Sequence, residues 1–399
     1  MPTRSLTPRR LAVAGAVLAV LCTGPAVAPA ASAASRGSAV ASEPSRGGPA
    51  AVEKLLTALP DPVTDAALVR VAGRGLRTPY TGTAGPVEAG ARFPVGSVTK
   101  IFTDAVVLRL VAEGRIGIDD PVRPRLPGLI PAAYSGVTVR RLLDHTSDLP
   151  RPAQVPLDPR GVVAASFEAD AAEHPGRVPD PGKVQQYNGL NSFVAGLLVE
   201  RLTGHPFVRE LDRRVLRPLA LRHTALSTDP AIAWSWAEGG LTSTAADLDA
   251  FLRALLGGRI LPPAQQKHLF EIPAVRSGPE NTSCPPATPC FSAGGLMGVE
   301  LTGTRVWGKT GTNGGWTSGI FASVEQHRRT VYALRPGPRP TPGEQRTRVE
   351  AVITAALADP GRQDLSSPGR QSLSADRRPP ADARRVSRGA LPAGTRGVG

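Results

Sequence analysis

The fold is decided around the stretch Phe93-Pro94-Val95-Gly96-Ser97-Val98-Thr99-Lys100, where an extended segment turns into a strongly apolar helix. We predict that this helix spans residues 98–113, because apolar side chains fill nearly all of its faces and Gly114 follows. Ser97 and Lys100 are three residues apart and therefore lie on one face. A helix that is apolar all round is buried, and burial lowers the pKa of a lysine. The stretch thus predicts a nucleophile at Ser97 with Lys100 as its base.

The rarity of lysine strengthens this interpretation. The 47 basic residues of the chain include only five lysines, and the rest are arginines. A structural cation in such a chain is expected to be arginine, whereas a guanidinium does not give up its proton. A lysine at position 100 therefore indicates chemistry that arginine cannot perform.

A second lysine lies in the stretch Trp307-Gly308-Lys309-Thr310-Gly311-Thr312, which we predict to be an edge strand. On such a strand, Lys309 and Thr310 can bind a substrate carboxylate, and Gly311 lets a ligand approach the backbone closely. The backbone amides of Ser97 and Thr312 are the predicted oxyanion hole. The alternative for this stretch is a hairpin strand with a solvated lysine.

The order of the elements predicts an α+β architecture. We expect strands over residues 66–72 near the beginning of the core and over 305–309, 319–324 and 330–335 near its end. Predicted helices follow at residues 98–113, 139–143, 191–202, 245–256 and 342–357. Both ends of the core would therefore build one sheet, with a helical region inserted between them.

Four motifs together resemble the serine β-lactamase-like family, which includes class C β-lactamases, D-alanyl-D-alanine carboxypeptidases and related esterases. They are S-V-T-K at 97–100, L-L-D-H-T-S-D-L-P at 142–150, Tyr187 before a helix ending in E-R-L-T-G-H-P, and K-T-G at 309–311. The resemblance covers roughly residues 50–358. It implies a β-lactamase/transpeptidase-like fold, with an antiparallel sheet flanked by helices and an inserted helical region.

The resemblance also implies roles for individual residues. Ser97 would form an acyl-enzyme, Lys100 would deprotonate it, and Tyr187 would relay protons. Lys309 and Thr310 would bind the substrate carboxylate. His145 matches a family pattern too, and we interpret it as a hydrogen-bonded packing residue in a turn rather than as a base.

One motif departs from the family pattern. The family has Tyr-x-Asn where this chain has Tyr187-Asn188-Gly189-Leu190-Asn191, and Gly189 has no side chain with which to contact the substrate amide and the catalytic lysine. Asn188 and Asn191 are candidate substitutes, of which Asn188 is the predicted substrate-binding residue. Loss of one such hydrogen bond costs about 1–3 kcal/mol. The sequence therefore supports acylation more strongly than turnover.

The ends of the chain predict export. Residues 1–33 have the basic, apolar and small-residue regions of a signal peptide, with Ala31-Ser32-Ala33 as its cleavage site. We interpret residues 34–50 as a flexible linker, 51–358 as the hydrolase domain with a helical insert at about 115–290, and 359–399 as a disordered Arg- and Pro-rich tail. A lipid anchor at Cys22 is the less favoured alternative. The remaining pair, Cys284 and Cys290, predicts a disulfide.

Composition and motifs argue against several other classes. The formal charge of +14 falls largely in the two ends of the chain and has few aromatic residues around it, which is weak support for nucleic-acid binding. The sequence has neither a G-x-S-x-G elbow nor an H-E-x-x-H zinc motif. We therefore expect no cofactor, no metal, no nucleic acid and no stable membrane insertion, and a secreted monomer acting on a peptide or small molecule.

The first functional hypothesis is a D-alanyl-D-alanine carboxypeptidase-type activity on peptidoglycan peptides. A β-lactamase comes second, because the two differ in how fast water removes the acyl group, and an esterase third. A penicillin- or peptidoglycan-binding protein with impaired turnover is the alternative from another class.

Overall fold

The computed structural model describes residues 47–357, except 156–157, 280, 282–283, 286, 302–303 and 324–327. The predicted signal peptide, residues 34–46 of the predicted linker and the predicted tail lie outside the described residues. The first helix begins at Pro49, so the folded part starts inside the segment predicted to be a linker. None of the helices among the described residues has the length and hydropathy that crossing a bilayer requires.

A six-stranded antiparallel sheet is built from both ends of the core, as the sequence predicted. Its order is β2-β1-β11-β10-β9-β8, and β1 pairs with β11 through partners such as Leu68 and Ala333. Shorter pairings join β3 with β6 and β5, and β4 with β7. The strands are β1 Thr64–Gly73, β2 Tyr80–Ala84, β3 Phe93–Pro94, β4 Val184–Gln185, β5 Ala225–Leu226, β6 Leu241–Ser243, β7 Arg276–Ser277, β8 Met297–Leu301, β9 Thr304–Asn313, β10 Trp316–Ser323 and β11 Arg328–Pro336.

Most helices lie between β2 and β8 in the chain, which is the predicted helical region; the first and last helices flank the sheet. The predicted helices are all present, with bounds within about two residues of those expected. The helices of the described residues are α1 Pro49–Leu56, α2 Thr99–Ala112, α3 Val139–Leu143, α4 Pro159–Glu173, α5 Leu190–Thr203, α6 Phe207–Leu211, α7 Pro230–Ala233, α8 Trp236–Gly239, α9 Ala245–Leu256, α10 Pro263–Gln266 and α11 Pro342–Leu357.

The sheet separates two apolar cores. Since successive side chains of a strand point to opposite faces, Leu68 joins the core under the helical region and Val69 joins the core under α1 and α11. In the larger core, Phe102 of α2 stacks on Phe251 of α9 with ring centroids 3.6 Å apart. Helix α2 is buried along nearly its whole length, Lys100 included. Ser97 therefore directly precedes a helix that is buried along most of its length.

A buried ion pair ties α9 to the sheet and yields a first prediction. Asp249 accepts a hydrogen bond from Arg329 Nε of β11 at 2.7 Å, and Arg329 is only 8 % exposed. Asp249→Ala leaves that guanidinium buried without its carboxylate, so the free energy of unfolding should fall by about 3–5 kcal/mol. Urea denaturation measures it. The matched control Asp119→Ala breaks an exposed pair with Arg140 and should cost less than about 1 kcal/mol; equal losses would contradict the assignment.

Candidate active site

Ser97 and Lys100 meet as their spacing predicted. Ser97 lies in a 3₁₀ turn at Gly96–Val98 and α2 begins at Thr99, so Lys100 is in the first turn of the helix. The Lys100 Nζ donates to Ser97 Oγ at 3.0 Å. Lys100 is 1 % exposed, whereas Ser97 is half-buried and can be reached from solvent. The serine and the lysine that the sequence predicted to act together are therefore in direct contact.

Two glycines allow β9 to approach the nucleophile. Gly96 has φ +50°, and a Cβ built on it would lie 2.5 Å from the amide nitrogen of Thr312. A Cβ on Gly311 would meet the carbonyl oxygen of Val95 and lie 2.9 Å from the amide nitrogen of Ser97. The backbones of Ser97 and Thr312 are therefore neighbours. Their use as an oxyanion hole remains a prediction.

Strand β9 is not the edge strand that the sequence predicted. It lies between β10 and β8, because the short strand β8 covers its first half. The pairing with β8 ends at Gly308, opposite Met297, whereas the pairing with β10 continues to Asn313. Residues 309–313 therefore pair on one side only, and their predicted role in binding substrate stays a prediction.

Lys309 lies beneath the site rather than on its surface. It is 2 % exposed, its Nζ donates to the carbonyl of Thr310 at 2.9 Å, and the Nζ lies 4.7 Å from the centre of the Tyr187 ring. Burial lowers the pKa of Lys309, and the charge of Lys100 lowers it further against the opposing effect of Tyr187. The neighbouring Thr310 is half-buried and closer to solvent. Of the two residues predicted to bind a carboxylate, Thr310 is therefore the one that is accessible, and Lys309 lies behind it.

Tyr187 lies between the two ammonium groups. The Nζ of Lys100 is 5.1 Å from its ring centre, on the scale of the 4.7 Å for Lys309. The hydroxyl oxygen is buried and has no hydrogen-bond partner among the residues the structure describes. Burial alone would raise the pKa of Tyr187, but the charges of Lys100 and Lys309 outweigh it, and the pKa lies below its usual value. The two neighbouring cations therefore favour the ionised form of Tyr187.

The expected direction of the Lys100 pKa is wrong. Burial does lower it, but the carboxylate of Glu238 and the hydroxyl of Tyr187 outweigh burial, and the pKa of Lys100 is raised. The Nζ of Lys100 donates to Glu238 Oε1 at 2.5 Å and to the Glu238 carbonyl at 2.9 Å. Lys100 is therefore an ammonium in this structure, and the base must be sought beside it.

Neither asparagine near Tyr187 faces the nucleophile. The Asn188 side chain donates to the carbonyls of Leu149 and Pro150 at 2.6 and 2.8 Å, and its Oδ1 accepts from the Leu190 amide. This corrects the prediction that Asn188 binds substrate, because its amide is used to fix a loop. Asn191 is bonded to Ser147 at 2.5 Å and to His145 at 2.9 Å, and is internal as well.

His145 is a packing residue, as interpreted from the sequence. Its Nδ1 bonds the Asn188 amide at 3.2 Å, and its ring lies 4.7 Å from that of Tyr187. Burial lowers its pKa well below the usual value, and the charges of Lys100 and Lys309 add to the shift. The imidazole is therefore neutral and supports the ring of Tyr187.

The predicted disulfide between Cys284 and Cys290 is present, with the Cα atoms 5.5 Å apart. It precedes Phe291, whose ring stacks on Tyr187 with centroids 5.1 Å apart. Gln185 Oε1 accepts from the amides of Cys290 and Phe291 at 2.7 and 3.0 Å. The disulfide loop is thereby fixed behind the tyrosine.

No role was predicted for Glu238 from the sequence. Helix α8 and the residues after it hold both walls of the site: Thr103 of α2 donates to the Ala237 carbonyl at 2.8 Å, and Asn313 of β9 donates to the Gly239 carbonyl at 3.0 Å. The only sequence signal was an acidic residue directly before the turn Gly239-Gly240. Its partner Lys100 lies 138 positions away.

An antiparallel sheet backed by helices, with a serine and a lysine one helix turn apart, defines a class of serine hydrolases. The chain belongs to the Beta-lactamase family, whose sequence model matches residues 52–393. Members of this family act on small molecules or peptides.

Individual relatives are distant. Penicillin-binding protein 4 of Amycolatopsis lactamdurans is 30 % identical over 213 residues, which cover 46 % of this chain and 55 % of that protein. A putative D-alanyl-D-alanine carboxypeptidase of Escherichia coli (strain K12) is 27 % identical over 157 residues, 36 % of each chain. The chain thus spans about half or less of the length of these relatives. The crystal structure of a D-stereospecific amidohydrolase from a Streptomyces species superposes with a TM-score of 0.64 at 27 % identity, covering 77 % of this chain and 98 % of that one.

Proposed function

We propose that the protein is an exported serine peptidase that forms an acyl-enzyme through Ser97 and cleaves D-alanyl-D-alanine peptides of peptidoglycan as a carboxypeptidase. The observation that carries the proposal is the 3.0 Å hydrogen bond between the buried Lys100 ammonium and the Ser97 hydroxyl. Similarity to a putative D-alanyl-D-alanine carboxypeptidase and to a D-stereospecific amidohydrolase supports the choice of bond. A disulfide beside the site suits an oxidising compartment.

The acylation step follows from the charges of the site. The carboxylate of Glu238 raises the pKa of Lys100, and the charges of Lys100 and Lys309 lower that of Tyr187, so we assign the acceptance of the Ser97 proton to ionised Tyr187 rather than to Lys100. The Ser97 oxygen attacks the carbonyl carbon, and the amides of Ser97 and Thr312 bind the developing oxyanion. Tyr187 then passes the proton to the leaving amine as the C–N bond breaks.

Deacylation uses the same group in reverse. Tyr187 takes a proton from the attacking water, the new C–O bond forms, and the proton returns to the Ser97 oxygen when the ester bond breaks. The Lys100 ammonium, 3.0 Å from that oxygen, stabilises its negative charge in both halves.

A second candidate, an amidase of D-residues without need for a terminal carboxylate, is favoured by the burial of Lys309. Lys309 is 2 % exposed, and its Nζ lies 4.7 Å from the centre of the Tyr187 ring rather than at the surface. If its charge serves mainly Tyr187, a neutral leaving group would be accepted as well as a charged one. The two candidates differ in what occupies the leaving-group side of the bond.

A pair of substrates separates them. We expect kcat/KM for a peptide ending in D-alanyl-D-alanine to exceed that for the same peptide ending in a carboxamide by at least about tenfold, since the charge of Lys309 favours an anion by about 1.4 kcal/mol or more. Product release is followed by chromatography. Lys309→Met should abolish this preference, whereas the exposed Lys267→Met should keep it.

Three results with these substrates would contradict a carboxypeptidase. Equal rates on acid and carboxamide would favour the amidase. A stable β-lactam adduct at Ser97 in the intact mass, without product from either peptide, would indicate a binding protein with impaired turnover. Absence of both adduct and product would remove the proposed function.

A further inference from the structure

Gly189 stands where the family motif has an asparagine, and the space beside it is occupied by a side chain from another part of the chain. Gly189 has φ −68° and ψ −30°, an ordinary helical conformation, so its backbone does not require glycine. A Cβ built on Gly189 would lie 2.9 Å from Oε1, 3.0 Å from Cγ and 3.2 Å from Cδ of Glu238. The Glu238 side chain thus occupies the space into which a side chain at position 189 would extend.

Glu238 also completes the contacts of the catalytic lysine. An ammonium has three donors. Those of Lys100 have three acceptors at 2.5, 2.9 and 3.0 Å, namely Oε1 of Glu238, the carbonyl oxygen of Glu238 and Oγ of Ser97. Two of the three come from Glu238, so this residue determines where the Lys100 ammonium lies relative to Ser97.

The second carboxylate oxygen of Glu238 is available. Among the described residues, Oε2 has no hydrogen-bond partner, and the side chain keeps 21 % of its surface exposed while that of Lys100 keeps 1 %. The carboxylate therefore bridges the interior and the solvent side of the site. A donor that enters beside Ser97 finds an acceptor there.

We propose that Glu238 takes the place of an asparagine at position 189, with Oε1 positioning Lys100 against Ser97 and Oε2 accepting a hydrogen bond from the N–H of the substrate's acyl residue. The contact with substrate rests on the proposed function, because that residue must carry an N–H. A carboxylate accepts and does not donate, and it binds an ammonium more strongly than an amide. The site therefore selects acyl residues with a donor at this position, and a free α-ammonium above an acylated one.

The role of Glu238 in positioning Lys100 is tested by removing the Glu238 side chain and introducing an asparagine at position 189, singly and together. With p-nitrophenyl acetate, which has no N–H, Glu238→Ala should lower kcat/KM by about 10- to 100-fold, the effect of losing a hydrogen bond to a charged group. Gly189→Asn alone should also lose activity, because the new side chain meets Glu238. The double variant G189N/E238A should recover at least about tenfold over Glu238→Ala. A loss in the double variant equal to the product of the two single losses would overturn the exchange.

Controls separate positioning from folding. Glu168→Ala removes an exposed carboxylate from α4 and should leave kcat/KM unchanged. Thermal unfolding is measured for each variant, and Glu238→Gln replaces Glu238→Ala in the cycle if the alanine variant does not fold. Wild-type activity in the alanine variant would show that Lys100 needs no carboxylate.

The contact between Glu238 Oε2 and the substrate is tested by the ratio of kcat/KM for two substrates. A purely structural role of Glu238 would leave this ratio unchanged. Wild type should prefer D-alanyl-D-alanine over its N-acetyl derivative by about tenfold in kcat/KM, and Glu238→Gln should reduce that preference to about onefold. An unchanged ratio in Glu238→Gln overturns the Oε2 contact. Failure of wild type to cleave either dipeptide removes the proposed function and this contact with it, while the p-nitrophenyl acetate cycle still decides the role of Glu238 toward Lys100.

Discussion

Ser97→Ala should lower kcat/KM on a D-alanyl-D-alanine peptide by about 10⁴-fold or more, the scale seen when an acyl-enzyme nucleophile is removed. Among the described residues, the Lys100 ammonium donates to Ser97 Oγ and to two oxygens of Glu238, and neither of the Glu238 oxygens is expected to form an acyl-enzyme. D-Alanine release, measured with a coupled oxidase, gives the rate. Intact mass after incubation with a β-lactam should show an adduct in wild type and none in the variant.

The control for this variant is Ser135→Ala, an exposed serine after a short turn, which should retain full activity and the adduct. Because alanine fits the half-buried position of Ser97, thermal unfolding of the two variants should agree within a few degrees. Equal D-alanine release by wild type and Ser97→Ala would show that the nucleophile is elsewhere.

The local part of this site could be predicted from the sequence. Three-residue spacing on a helix fixes the relation of Ser97 to Lys100, and it depends only on helix geometry. The alternating and apolar runs predicted the strands at both ends and therefore one sheet. Each of these signals lies within a few residues of the feature it predicts.

The missing part depends on contacts between distant segments. Glu238 is 138 positions from Lys100, and only packing of α8 against α2 shows that its carboxylate reverses the effect of burial on the lysine pKa. The hydrogen bonds of the Asn188 side chain could not be predicted from the neighbouring sequence either, because they are made to the carbonyls of residues 149 and 150. Strand β8 is only five residues long and was not predicted from the sequence, so β9 was expected at the edge of the sheet.

The same distinction explains why the correction at Lys100 does not weaken the prediction of a nucleophile. A serine and a lysine on one helix face were predicted from geometry, whereas the protonation state of the lysine depends on everything packed around it. With Lys100 bonded to the carboxylate of Glu238, the neighbouring Tyr187, whose pKa is lowered, is the base that we propose. Ser97 thus stays the predicted nucleophile, and the proposed base changes from Lys100 to Tyr187.

Gly311→Ala is the second change with a large expected effect, although it adds only one methyl group. That methyl would meet the carbonyl oxygen of Val95 and lie 2.9 Å from the amide nitrogen of Ser97 and 3.0 Å from that of Val98. These are backbone atoms, which cannot rotate away as a side chain does, so β9 and the nucleophile turn must separate. Loss of one oxyanion donor costs about 10²- to 10³-fold in kcat, and overpacking costs about 1–3 kcal/mol of stability.

Kinetics and thermal unfolding together identify this mechanism. Gly311→Ala should lose about 10²-fold or more in kcat at a melting temperature lowered by several degrees, whereas Gly90→Ala, where no atom lies within 4 Å of the new methyl group, should keep both. If Gly311→Ala retains wild-type kcat, the approach of β9 to Ser97 is not needed for chemistry and the Thr312 amide is not part of the oxyanion hole. A loss of kcat with an unchanged substrate KM would instead place the effect in the transition state, where the two amides act on the oxyanion.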